Sequence, residues 1–87
     1  MPVPADSRAD YNRLAWQCRR GMRELDELLH GYLGARYAAL DADGRRVFET
    51  LLAYPDSVLL ELLMGRMAPA DRDIARLVRD IRDTAAP

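Results

Sequence analysis

Lysine is absent from this chain of 87 residues: all 13 basic side chains are arginine, set against 14 acids. Genomic composition bias explains such an absence; the functional alternative is that arginine's rigid bidentate fork serves protein contacts better than an ammonium. The net charge is −1, and opposite signs alternate along the chain. This excludes the one-signed field that draws proteins to phosphate backbones or anionic lipid, so neither nucleic acid nor membrane is expected as a partner. Cys18 is the only cysteine, which rules out an internal disulfide and suits a reducing compartment. His30 is the only histidine, so these two residues supply half of a structural zinc site, and no metal is expected. No apolar run nears the ~18 residues of a membrane span. The opening Met1-Pro2-Val3-Pro4-Ala5-Asp6-Ser7 lacks the pattern of a secretory or mitochondrial leader. A bacterial cytoplasmic location is the expectation.

What is present is helical. Segments rich in Leu, Ala, Arg and Glu are separated by turn residues, without sustained period-two alternation, which predicts an all-α, compact five-helix bundle. The length suits one domain over residues 1–87, with flexible ends at about 1–6 and 84–87. The first helix is expected from Ser7 or Asp10 to Arg20, with Tyr11, Leu14, Ala15 and Cys18 on one stripe. Gly21 interrupts it, and the second helix, Met22 to about Ala39, buries Leu25, Leu28, Leu29, Tyr32 and Leu33. Gly31 and Gly34 weaken that helix, and either permit a close approach or mark a bend. Asp41 or Asp43 caps a third helix carrying Val47, Phe48, Leu51 and Leu52. Pro55 ends it. Asp56 or Ser57 caps a short fourth helix, Val58 to Met64, apolar around most of its circumference and hence the most buried; Gly65 closes it. Pro69, at a first helical position, opens the last helix, whose apolar stripe is Ile74, Leu77, Val78 and Ile81.

The most informative run is Trp16-Gln17-Cys18-Arg19-Arg20-Gly21-Met22-Arg23-Glu24-Leu25-Asp26, a glycine set among arginines and acids. Gly21 reads two ways: it lets the chain leave one helix and enter the next, or it lets a partner approach where a Cβ would block. If Gly21 is the N-cap of the second helix, Glu24 falls at N3, where it completes a capping box. Three arginines around the same turn exceed what a helix hairpin needs, and point instead to a partner-binding surface. Trp16 either packs between helices or anchors a partner. Cys18, on the apolar stripe, reads as a small buried hydrophobe. No phosphate loop, paired acids or nucleophile–base set is present, so no catalytic residues are assigned.

This run resembles the RGxxE signature, in its fuller form WxCRRGxxELD, of small assembly factors that promote covalent attachment of FAD to the flavoprotein subunit of succinate dehydrogenase. The similarity extends over roughly residues 8 to 82: Tyr37 to Phe48, then Leu51-Leu52-Ala53-Tyr54-Pro55-Asp56, resembles the family's third helix and LLxxPD turn, and Leu63-Met64-Gly65 the end of its WLxG segment. Leu62 departs from the family's tryptophan, and Val58 from a common acid. The resemblance implies a five-helix bundle that is not itself an enzyme; no cofactor is assigned to this chain, FAD being attached to the partner. It implies binding to the immature flavoprotein subunit of succinate dehydrogenase or fumarate reductase, whose histidine then bonds to FAD. Arg20, Gly21 and Glu24 match the motif, and Arg19, Met22, Arg23 and Asp26 flank it; these seven form the implied partner-binding set. The free factor is expected to be a monomer. An antitoxin label has also been attached to the family, so the alternative is an antitoxin or helix-turn-helix regulator touching DNA through Arg45 and Arg46. The balanced charge argues against that reading.

Overall fold

A computed structural model describes residues 5–86, and among them every regular element is helical. The helices are α1 (Ala5–Gln17), α2 (Arg23–Arg36), α3 (Ala42–Leu52), α4 (Asp56–Leu63) and α5 (Arg72–Ala85), with a 3₁₀ turn at Tyr37–Ala39. The expected five-helix architecture holds. Residues 1–4 and 87 lie outside the described residues, while Ala5 and Asp6 belong to α1, and Thr84 and Ala85 to α5.

α2 and α5 pack along each other at the centre; α3 and α4 lean on α5, and α1 lies against α2. One apolar cluster joins them all, built from Leu14, Cys18, Leu25, Leu29, Leu33, Phe48, Leu51, Leu59, Ile74 and Ile81, with the Tyr32 ring tilted against Phe48. The stripes foreseen from helical spacing supply all of these but Leu59, although Tyr11, Ala15, Leu28 and Val47 on the same stripes are only partly buried. α4 has Ser57 alone fully exposed, as its apolar circumference requires. Leu62, where the family usually carries tryptophan, is 2% exposed in this core, and Val58 packs at its edge.

Helix ends differ from expectation where local chemistry overrides propensity. α1 stops at Gln17, not Arg20, because Cys18 forms a closing turn and the chain then uses four non-helical residues, Arg19 to Met22, to reverse. α2 ends at Arg36, and its last stretch tightens into the 3₁₀ turn. It runs unbroken through both glycines, and a Cβ at Gly34 would only touch the Tyr11 hydroxyl at 4.0 Å. Asp41 caps α3, accepting from the Gly44 N–H at 2.7 Å. Pro55, not Asp56 or Ser57, is the N-cap of α4, which frees the Asp56 carboxylate for another bond. Asp71, not Pro69, begins α5, accepting from the N–H groups of Asp73 and Ile74. A side-chain acceptor satisfies two of that helix's orphan donors, whereas proline only removes one. At the end of α4, Gly65 has φ +77°, and the N–H groups of Gly65 and Arg66 return to the carbonyls of Leu62 and Glu61. This is a Schellman closure.

Cys18 is fully buried, and burial pushes its thiol up to about 12, with Arg20 opposing and Asp26 reinforcing the shift. Reactivity requires thiolate, so the native protein should label with iodoacetamide at pH 8 more than about tenfold slower than the urea-unfolded chain. Equal rates would place Cys18 outside the core.

Candidate functional site

The turn between α1 and α2 holds the signature, and its geometry divides the seven candidate residues into two groups. Arg20 points inward, with 16% of its side chain exposed. Its Nε donates to Asp56 Oδ1 at 2.7 Å, its Nη1 to the carbonyls of Gln17 and Leu52 at 3.0 Å each, and its Nη2 to the Tyr54 carbonyl at 2.9 Å. Gln17 and Leu52 are the last residues of α1 and α3, so the guanidinium covers orphan carbonyls where two helix dipoles end. Its carboxylate partner opens α4, the end of a helix that favours negative charge.

Asp26 belongs to the same clasp. Its Oδ1 accepts the Arg20 backbone N–H at 2.8 Å, so the reversal of the chain is bonded from both sides. The N-cap of α2 is Met22, not Gly21, and this places Glu24 at N2. No side-chain cap bond is formed, and the capping box is not made; the acid that reaches back is Asp26, two residues further along. Met22 is partly buried against the core.

The other four face solvent. Gly21 has φ +81°, the left-handed region that favours glycine, and a Cβ there would meet nothing within 4 Å. Backbone conformation alone demands glycine within the chain, and the space beside it is open. Arg23 is 91% exposed and pairs with Glu27 along α2. Glu24 is exposed; after Glu61, its charge helps to hold the nearby Arg66 guanidinium protonated, so the turn faces the α4–α5 connection. Arg66 in turn donates to Glu61 at 2.8 Å and holds that carboxyl below its ordinary range. Arg19 is exposed and lies 5.5 Å over the Trp16 ring.

Of the two readings of Trp16, the structure rules out packing between helices. Trp16 is 71% exposed, because it lies two positions from Cys18 and therefore on the outer side of α1. Tryptophan is among the residue types most enriched at the energetic centres of interfaces, and here its ring is open to a partner. Helical phase alone carried that signal, since Leu14 and Cys18 already define the inner stripe.

The signature turn is a surface element, not the wall of a groove. The groove between α3 and α5, about 670 Å³, is lined by Asp41, Asp43, Asp71, Asp73 and Asp80 with Arg46 and Arg76, and by none of the seven. Among the described residues no three His, Cys, Asp or Glu side chains converge as metal ligands, and no helix is long and apolar enough to cross a membrane. Arg45 lies 4.6 Å over the Tyr37 ring, while Arg46 pairs with Asp43 on the exposed surface of α3. Sequence reasoning missed Asp56 as a member of the site, for nothing local links it to a residue 36 positions earlier.

The arrangement is that of a small helical module displaying a charged turn beside an exposed aromatic. A family described as "Flavinator of succinate dehydrogenase" (Sdh5) matches residues 12–85, and the chain belongs to that family. It is similar to proteins named "FAD assembly factor SdhE" from several bacteria. The one from Pseudomonas aeruginosa is 40% identical over 90% of this chain and 93% of its own length. The relative from Xylella fastidiosa is 42% identical over 88% of this chain and 79% of its own. The protein from Coxiella burnetii is 31% identical over 85% and 90%.

Proposed function

We propose that this protein binds the flavoprotein subunit of succinate dehydrogenase and promotes covalent attachment of FAD to it. The observation that carries this reading is the exposed turn of Arg19, Gly21, Arg23 and Glu24 beside Trp16, in a chain whose family is described as a flavinator. Arg20, Met22 and Asp26 complete the partner-binding set by shaping that turn. Fumarate reductase, whose flavoprotein subunit poses the same chemical task, is included as a second partner. The factor acts without catalysis of its own: FAD belongs to the partner, and the free factor is a cytoplasmic monomer. A docked factor would contribute by holding the partner's reacting groups in register, where misplacement of about 1 Å costs on the order of 10²-fold in rate.

The test is complementation. In cells lacking this protein, the wild-type chain should restore in-gel flavin fluorescence of the succinate dehydrogenase flavoprotein subunit, and an empty vector should not. Indistinguishable bands would overturn the proposal. Glu24→Gln sharpens it, because Glu24 makes no cap bond and contributes only first-turn charge. Removing that charge should cost less than about 1 kcal/mol of stability. Flavinylation should fall far more than this predicts; a decline of both in proportion would make Glu24 a structural residue.

A further inference from the structure

Asp56 lies outside the signature, yet it holds the signature's arginine. Building on the function proposed above, we infer that Asp56 is a positioning residue for the docking turn, acting through Arg20, which is an internal strut and not a contact to the partner.

The inference rests on where each donor of Arg20 goes. The backbone N–H and the Nε, Nη1 and Nη2 groups all bond within the chain, to Asp26, Asp56, Gln17, Leu52 and Tyr54. Four of the five guanidinium N–H groups are thus engaged, so a partner could reach only one Nη2 hydrogen without breaking these bonds. The neighbouring groups need no such rearrangement: Arg19, Gly21, Arg23 and Glu24 are already in solvent. Three of the Arg20 acceptors are carbonyls at fixed helix ends or in the α3–α4 turn, and they set its position. Asp56 supplies the one full negative charge bonded to the guanidinium, at the angle that the Nε geometry requires. Fixing Arg20 fixes Gly21 one bond later, and with it the left-handed step that aims the chain into α2. The Asp56 side chain is 43% exposed, so it tolerates a change of charge without burying a void.

Two variants test this. Asp56→Asn preserves size and the N1 position but removes the charge; Arg20→Lys preserves the charge but removes the fork. Hydrogen exchange is measured on the free protein. Flavinylation is measured with purified flavoprotein subunit lacking its FAD bond, mixed with FAD. In both variants the Arg19 and Arg20 amides, bonded to the Trp16 carbonyl and to Asp26, should exchange at least about tenfold faster while the α2 and α5 core amides keep their protection. Flavinylation should fall at least about fivefold by the same loss of register. Asp56→Glu, one methylene longer, should regain at least half of the lost flavinylation, and Arg20→Lys carries the test if Asp56→Asn does not fold.

Native exchange at Arg19 and Arg20 with lost flavinylation would make Asp56 a direct contact and overturn the inference. So would acceleration spread evenly over the bundle, which marks a general stabiliser, or full flavinylation by Arg20→Lys. The exchange measurement needs no partner. A wild-type chain that fails to promote flavinylation would therefore sink the proposed function, while exchange alone still decides whether Asp56 orders the turn.

Discussion

Gly21→Arg is expected to abolish restoration of flavin fluorescence, while Gly21→Ala retains most of it. Both variants place a Cβ at φ +81°, and both therefore carry the same backbone strain, about 1–2 kcal/mol for an L residue in the left-handed region. Neither meets an internal obstacle, since nothing lies within 4 Å of a Cβ built there. What separates them is a long charged side chain standing on the exposed face of the turn. The pair thus subtracts strain from obstruction. If alanine is as damaging as arginine, glycine is required for its dihedral angle alone, and the turn need not approach a partner closely. Circular dichroism melts of the two variants should agree within a few degrees; a gap much larger than that would mean that arginine disturbs the bundle itself.

The largest loss of stability is expected from Arg20→Ala. The substitution leaves the Leu52 and Tyr54 carbonyls without a donor and Asp56 without its cation, at a site where 16% exposure admits only partial rescue by water. Hydrogen bonds to charged groups contribute about 1.5–3 kcal/mol each, and water recovers part of the sum, so the net cost should be about 2–4 kcal/mol. For a domain of this size that lowers the melting temperature by about 10–20 °C. The comparison is Arg23→Ala, whose 91% exposed side chain makes one pair along its own helix and should shift melting very little. Equal melting of the two variants would mean that the clasp around Arg20 contributes nothing to the fold.

Both predictions depend on distinctions that the sequence held unevenly. The helices and their inner faces were legible because a period of 3.6 residues leaves a record in the chain: Ile74, Leu77, Val78 and Ile81 could face only one way. The Asp41 cap was legible for the same local reason. The direction of Arg20 was not, because three of its bonds, to Leu52, Tyr54 and Asp56, are decided by where α3 ends and α4 begins in space. A row of three arginines and two acids reads alike whether its members face the partner or the core. The N-cap of α2 failed by one residue, and that displacement moved Glu24 out of capping register and passed the reaching-back role to Asp26. Trp16 was legible in principle: the helical phase that buried Cys18 already turned the indole outward.

The closure around Arg20 ties residues 17, 20, 26, 52, 54 and 56 into one knot. The docking turn is thus a discontinuous epitope: its shape is written by segments that are remote in sequence and meet only in the assembled bundle. A short peptide copying Trp16 to Asp26 carries the letters of the signature without its form. The epitope therefore shares the cooperativity of the whole domain, present in folded molecules and absent in unfolded ones. Near the melting midpoint, each further 1.4 kcal/mol lost anywhere in the core changes the ratio of competent to incompetent molecules about tenfold.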